Sequence, residues 1–99
     1  MALTEVEIKN DIFFHIINRG GVYKEWYVGV ASDPIKQLFM KHRIDEKNDF
    51  WIYRKAESSE AAARVNDYFL NRLGTDGYID KKDDNCIYIY AFKKNNHKK

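Results

Sequence analysis

The sequence predicts a small α+β domain in which a mostly antiparallel sheet is packed by two helices. Three observations predict it. Runs rich in β-branched and aromatic residues recur at 11–18, 22–31, 50–53 and 86–92, the composition of strands. Two stretches between them place apolar residues at helical spacing. Turn and capping residues then mark the changes of period: Gly20 and Gly21, Asp33 and Pro34, Ser58 and Ser59, Gly74.

Residues 1–10 alternate weakly through Leu3, Val6 and Ile8 and read as an extended lead-in. The run Ile12, Phe13, Phe14, Ile16, Ile17 is expected to be the first strand. Paired glycines at 20 and 21 then turn the chain, because tight hairpins need positive φ. Residues 22–31 follow as the second strand, antiparallel to the first. Asp33 caps the next helix and Pro34 fits its first position, where a missing N–H costs nothing. Ile35, Leu38, Phe39 and His42 fall on one face of that helix. The charged residues 44–49 end it, and Phe50 to Tyr53 adds a short strand. Ser58 or Ser59 starts the second helix, with Ala62, Val65, Phe69 and Leu73 as its buried stripe and Gly74 as its stop. Residues 74–85 read as a long polar loop, and 86–92 as the closing strand. Residues 1–92 therefore form one domain, and 93–99 a basic flexible tail.

Composition bounds the possibilities. With 99 residues, of which 44% are hydrophobic, the chain can bury roughly 60% of its unfolded surface in one core. No basic start followed by an apolar run and no membrane-length apolar stretch is present, and the one cysteine, Cys86, has no internal partner. These features point to a cytoplasmic protein without a membrane role. The net charge is +2, but Lys93, Lys94, Lys98 and Lys99 account for four of the 17 basic residues, which leaves 13 against 15 acidic ones in the body. Any nucleic-acid surface must therefore be local. The candidate is the window 36–55, where Lys36, Lys41, Arg43, Lys47, Arg54 and Lys55 outnumber Asp45, Glu46 and Asp49. Lys36, Lys41, Arg43, Arg54 and Lys55 are its proposed contacts. The plainer reading of the same window is a solvated surface.

Single residues divide in the same way. Trp26, Trp51, Tyr53 and Tyr88 offer flat rings for stacking on unpaired bases, but strand aromatics ordinarily build the core. Asp76, Asp80, Asp83 and Asp84 lack the spacing of a calcium loop.

Tyr27, Val28 and Gly29, followed by Asp33, Pro34 and a helix bearing His42, resemble the second half of the GIY-YIG nuclease signature. The resemblance covers most of residues 11–92. It implies a three-stranded, mostly antiparallel sheet flanked by helices, a divalent Mg or Mn ion, and a DNA substrate. The family carries Gly-Ile-Tyr on its first strand, about ten residues before Tyr-Ile-Gly on the second. It implies that Tyr27 orients or activates a nucleophile and that His42 works beside it.

The chain departs from that pattern at three places. Gly21, Val22 and Tyr23 lie too close to Tyr27, on one strand, and counting back about ten residues reaches His15, Ile16 or Ile17. The arginine expected four residues before His42 is Leu38, and the metal-binding glutamate aligns near Asn66, with Asp67 beside it. A neutral amide is a poor sole ligand for magnesium, and Asp67 lies about 100° further round the helix. His15 is the candidate for the missing tyrosine's place, where it would share a pocket with Tyr27 and His42 as a general base.

The leading expectation is a catalytically degenerate GIY-YIG-like module that binds nucleic acid or a protein partner, with no metal site and no cofactor. The alternatives are an active metal-dependent endonuclease with relocated catalytic residues, using a carboxylate such as Glu60 or Asp67, and an assembly subunit unrelated to nucleic acid.

Overall fold

Thr4 starts a helix where the sequence reading expects a lead-in and a strand. In the computed structural model, which describes residues 2–77 and 85–94, α1 spans Glu5–Ile17. The Glu7 backbone N–H donates to the Thr4 hydroxyl at 3.2 Å, and the Thr4 N–H donates to the Glu7 carboxylate at 2.9 Å. This reciprocal cap satisfies two donors that a helix end otherwise leaves free. Ile8, Ile12 and Ile16 are all fully buried. Their spacing of four makes a single helical stripe, and burial of each isoleucine contributes about 1.5–3 kcal/mol. Reading from residue 11 cuts this stripe in half, so the remainder looks like an aperiodic β-rich run. Tertiary burial outweighs the β-branched composition.

Gly20 and Gly21 take positive φ, 106° and 69°, but they end a helix and do not join two strands. The Gly21 N–H donates to the Ile16 carbonyl at 3.0 Å, the closing bond of a left-handed helix stop. A single 3-10 turn at Tyr23–Glu25 follows, so the strand expected from residue 22 begins at Trp26.

β1 spans Trp26–Ala31. Pro34 opens a short helix whose wide π-type turns cover Lys36–Lys41, with the His42 N–H donating to the Gln37 carbonyl at 2.9 Å. β2 is Trp51–Lys55. α2, Ser59–Asp67, is capped by Ser58, whose hydroxyl accepts from the Ala61 N–H, and continues as π-type turns over Tyr68–Leu73. Gly74 ends it at φ 84°, as expected of a left-handed stop. β3, Asp76–Gly77, lies inside the expected loop, and β4 is Tyr88–Lys93.

The four strands form one mixed sheet in the order β2-β4-β1-β3. β4 runs antiparallel to both β1 and β2, while β3 pairs parallel with β1. The α+β class therefore stands, but the sheet is not the expected three-stranded antiparallel one. The antiparallel neighbour of β1 is β4, not residues 11–18. Lys93 belongs to β4, and the Lys94 ammonium donates to Asp76 at 3.0 Å, so the first two residues of the expected tail are anchored. The remainder of the tail, 95–99, and most of the polar loop, 78–84 with Asp80, Asp83 and Asp84, lie outside the described residues.

The sheet separates two cores of unequal cover. On one face, Trp26, Val28, Ile52, Ile89 and Ala91 pack under the isoleucines of α1 and under Ala62, Val65 and Phe69 of α2. On the other, Tyr27, Tyr90, Phe92, Trp51 and Tyr53 meet Leu38, Phe39 and Ile44 from the short helix and the turn after it. Among the described residues, two full helices shield the first face, whereas one short helix shields the second. Among the described residues, no helix is long and apolar enough to cross a membrane.

Candidate functional site

Strand alternation points Tyr27 and Gly29 to the thinly covered face. β4 answers from the neighbouring position, with Phe92 opposite Tyr27, Tyr90 opposite Gly29 and Tyr88 opposite Ala31. The short helix brings His42 over this grid. The His42 ring lies 4.8 Å from that of Tyr27 and 4.7 Å from that of Phe92, centroid to centroid. Its Nε2 shares a hydrogen bond of 3.1 Å with the Tyr90 hydroxyl. The Tyr27 and Tyr90 rings stack side by side, 6.3 Å between centroids and 18° apart, which sets Tyr27 beside the Tyr90 phenol. Tyr27, Tyr90 and His42 thus form one polar cluster set among aromatic rings.

Electrostatics keep His42 and Tyr90 neutral near pH 7. Burial, and then Lys41, lowers the His42 pKa below its ordinary value, since desolvation and a neighbouring cation both disfavour imidazolium. Burial, and then Tyr27, raises the Tyr90 phenol well above its ordinary value. Tyr90 therefore stays protonated and can donate to a neutral His42 ring.

Beside the cluster is an open pocket of about 60 Å³, lined by Tyr27, Gly29, Gln37, Lys41, His42 and Tyr90, with Val30 at its edge. By the roughly 15 Å³ that one water needs, it admits several waters or a small ion. Among the described residues, its walls present two hydroxyls, an amide, an imidazole and an ammonium, and no carboxylate. That donor-rich lining suits an anion.

The structure brings Tyr27 and His42 together and leaves His15 elsewhere. His15 lies on α1 with its ring 5.4 Å from that of Trp26, edge to face. Trp26 belongs to the other core, so the sheet separates His15 from the pocket. Burial, then Arg19 and Arg54, lowers the His15 pKa to about 4, and its Nε2 is buried without a hydrogen-bond partner. The general-base placement expected for His15 fails because residues 11–18 are helical. Asn66, Asp67 and Glu60 lie on α2, which also packs across the far face. Among the described residues, no three of His, Cys, Asp and Glu converge as a metal-holding group. The donor set at the pocket does not fit a divalent cation of the kind the resemblance implies.

The basic window divides as well. Lys36 and Lys41 are exposed on the short helix, Lys41 at the pocket, and Arg43 follows in a left-handed conformation at φ 57°. Arg54 alternates to the far face, where its Nε donates to Asp11 at 2.9 Å and its Nη1 to the Tyr53 carbonyl at 2.8 Å. Lys55 returns to the near face at the edge of the sheet. A window summed across a strand mixes two faces, which is why these five cations do not form one patch. Tyr90 and Gln37 were missed in the sequence reading. The alternation of Tyr88, Tyr90 and Phe92 was visible as a signal, but it carried no indication of which strand β4 would join.

No family model matches this chain, and no curated protein and no solved structure matches it.

Proposed function

We propose that this domain is a binding module for nucleic acid that seats a backbone phosphate at the Tyr27–His42–Tyr90 pocket. One observation carries the reading: among the described residues, the pocket lining is rich in donors, contains Lys41 and contains no carboxylate. Phosphate oxygens accept hydrogen bonds from side chains of these types. Lys36 on the same helix and Arg43 just beyond it add positive charge along the approach. The test is binding of a labelled DNA duplex across a salt series. Affinity should fall linearly on a log–log plot, and Lys41→Ala should weaken binding and reduce the slope by about 1. Affinity that is independent of salt and of Lys41 would overturn the reading.

A second reading is favoured by the Tyr27–Tyr90 pair. The GIY-YIG resemblance places its first-motif tyrosine on the strand before Tyr27; Tyr90, which comes later in the chain and lies across from Gly29 on the antiparallel neighbour β4, is the tyrosine that stacks beside Tyr27 instead. An active endonuclease would have to take its metal-holding carboxylates from outside the described pocket lining. It would nick supercoiled plasmid with Mg²⁺ or Mn²⁺ and lose that activity in both Tyr27→Phe and Tyr90→Phe. Absence of metal-dependent nicking leaves the binding reading alone.

A further inference from the structure

The thinly covered face of the sheet is an ordered grid of side chains. Three cross-strand rows run from β2 through β4 to β1. The first is Trp51, Phe92, Tyr27; the second is Tyr53, Tyr90, Gly29; the third is Lys55, Tyr88, Ala31. The pocket occupies the β1 side of this grid, and the short helix closes over the first row, with Phe39 edge-on to Trp51 at 5.0 Å. Tyr90, Phe92 and Ala31 are buried, whereas Tyr53 and Lys55 on β2 and Tyr88 at the start of β4 are partly buried and keep some exposed surface. Trp51 and Tyr53 lie nearly parallel, 11° apart at 6.2 Å, whereas Tyr88 stands edge-on to Tyr53, 6.2 Å away at 68°, so the two tyrosines offer two separate ring faces. Trp26, the fourth aromatic residue considered for stacking, is fully buried on the opposite face.

From this arrangement we infer that the Tyr53–Tyr88 surface, with Lys55 beside it, is a stacking platform for the unpaired bases of a single-stranded nucleic acid. The inference rests on the phosphate-pocket reading and gives it a substrate class. Tyr53 is in register with Tyr90, so the platform and pocket meet at one residue. A strand whose phosphate enters the pocket can lay a neighbouring base across Tyr53 or Tyr88. Charge complementarity selects the occupant: Lys55 is in register with Tyr88 on the platform, and Lys41 lies in the pocket. Flat aromatic rings bordered by cations match a polymer that alternates π-faces with phosphates. A duplex hides its base faces inside the stack and cannot use such a surface.

The test compares three labelled probes of equal length: a single-stranded oligothymidine, the same strand with abasic sites at equal phosphate number, and a matched duplex, whose higher charge density favours it on electrostatics alone. The proteins compared are the wild type, Tyr53→Leu, Tyr53→Phe and Tyr88→Leu. The leucine variants keep apolar bulk and remove the flat ring, and circular dichroism checks that each variant folds. Wild type should prefer the base-bearing single strand over the abasic one by about tenfold or more. Each leucine variant should lose most of that preference without changing duplex or abasic affinity, and Tyr53→Phe should retain it.

Equal affinity for base-bearing and abasic strands, with salt-dependent binding intact, overturns the platform and leaves the pocket reading standing. A preference for bases that ignores Lys41→Ala and salt supports the platform and overturns the pocket reading. Binding of none of the three probes overturns both.

Discussion

The Tyr90 ring occupies the space that a side chain at position 29 would fill. A Cβ added to Gly29 would lie 2.8 Å from the Tyr90 hydroxyl oxygen and 2.9 Å from Cζ. Glycine is required here by close approach and not by a left-handed φ. Because Gly29 and Tyr90 are cross-strand partners, this missing side chain lets the phenol lie flat across β1 and reach both Tyr27 and His42. The strand glycine that the GIY-YIG resemblance rests on is thus also the position that admits Tyr90 to the site.

Gly29→Ala should destabilise the domain by about 1–3 kcal/mol through overpacking. Urea unfolding of Gly29→Ala, Tyr90→Phe and the double variant measures it. Tyr90→Phe should give little relief, because the ring carbon collides as well as the hydroxyl. Full rescue by Tyr90→Phe would mean that the hydroxyl alone sets the clash.

Helix α1 makes a prediction that a strand would reverse. In a strand, residues 12 and 14 share a face; in a helix they do not. Ile12 is fully buried and Phe14 is 57% exposed. Ile12→Ala should therefore cost about 2–5 kcal/mol, while Phe14→Ala should stay within about 0.5 kcal/mol of wild type. Similar costs for both, measured by chemical denaturation, would contradict the helix.

Stability should depend on pH through the histidines. His15 has its pKa lowered to about 4 from an ordinary 6.5, and His42 is lowered in the same direction. Below pH 6.5 the unfolded chain takes up protons that the folded chain refuses, so stability falls as pH drops from 6.5 toward 4. Glu5 and Asp76, whose pKa values are lowered by Arg64 and Lys94 respectively, add to this loss only in the carboxylate range. Between pH 6.5 and 5, His15→Phe should flatten the slope of unfolding free energy against pH. An unchanged slope would show that His15 is not the group responsible.

The two cations Lys41 and Arg54 should separate function from structure. Lys41→Ala should reduce affinity for nucleic acid with little change in stability. Arg54→Ala should leave affinity unchanged and cost at most about 1 kcal/mol, because its ion pair with Asp11 is roughly 40% exposed on both sides. Oligonucleotide titration beside thermal unfolding distinguishes them. Loss of affinity in Arg54→Ala would return Arg54 to the interface from which the fold removes it.

What the sequence determined by itself was local. The helix starts at Asp33–Pro34 and at Ser58 or Ser59, the stop at Gly74 and strand character within 22–31, 50–53 and 86–92 all follow from caps, period and side-chain branching, which act within a few residues. The strands themselves run 26–31, 51–55 and 88–93. The positive φ of Gly20 and Gly21 was legible too, but not its use, since a hairpin and a helix stop both require it. Helix α1 was hidden because its isoleucines are β-branched and its period shows only when read from Thr4. Tertiary structure decided what no local pattern encodes: that β4 lies beside β1, that the sheet parts His15 and Arg54 from Tyr27, and that Tyr90 completes the pocket. Strand pairing is set by which faces bury together across the whole chain, and hydrogen bonds along a strand edge are the same for every candidate neighbour. Only the closed core, with isoleucines beneath the sheet and aromatic rings above it, selects one.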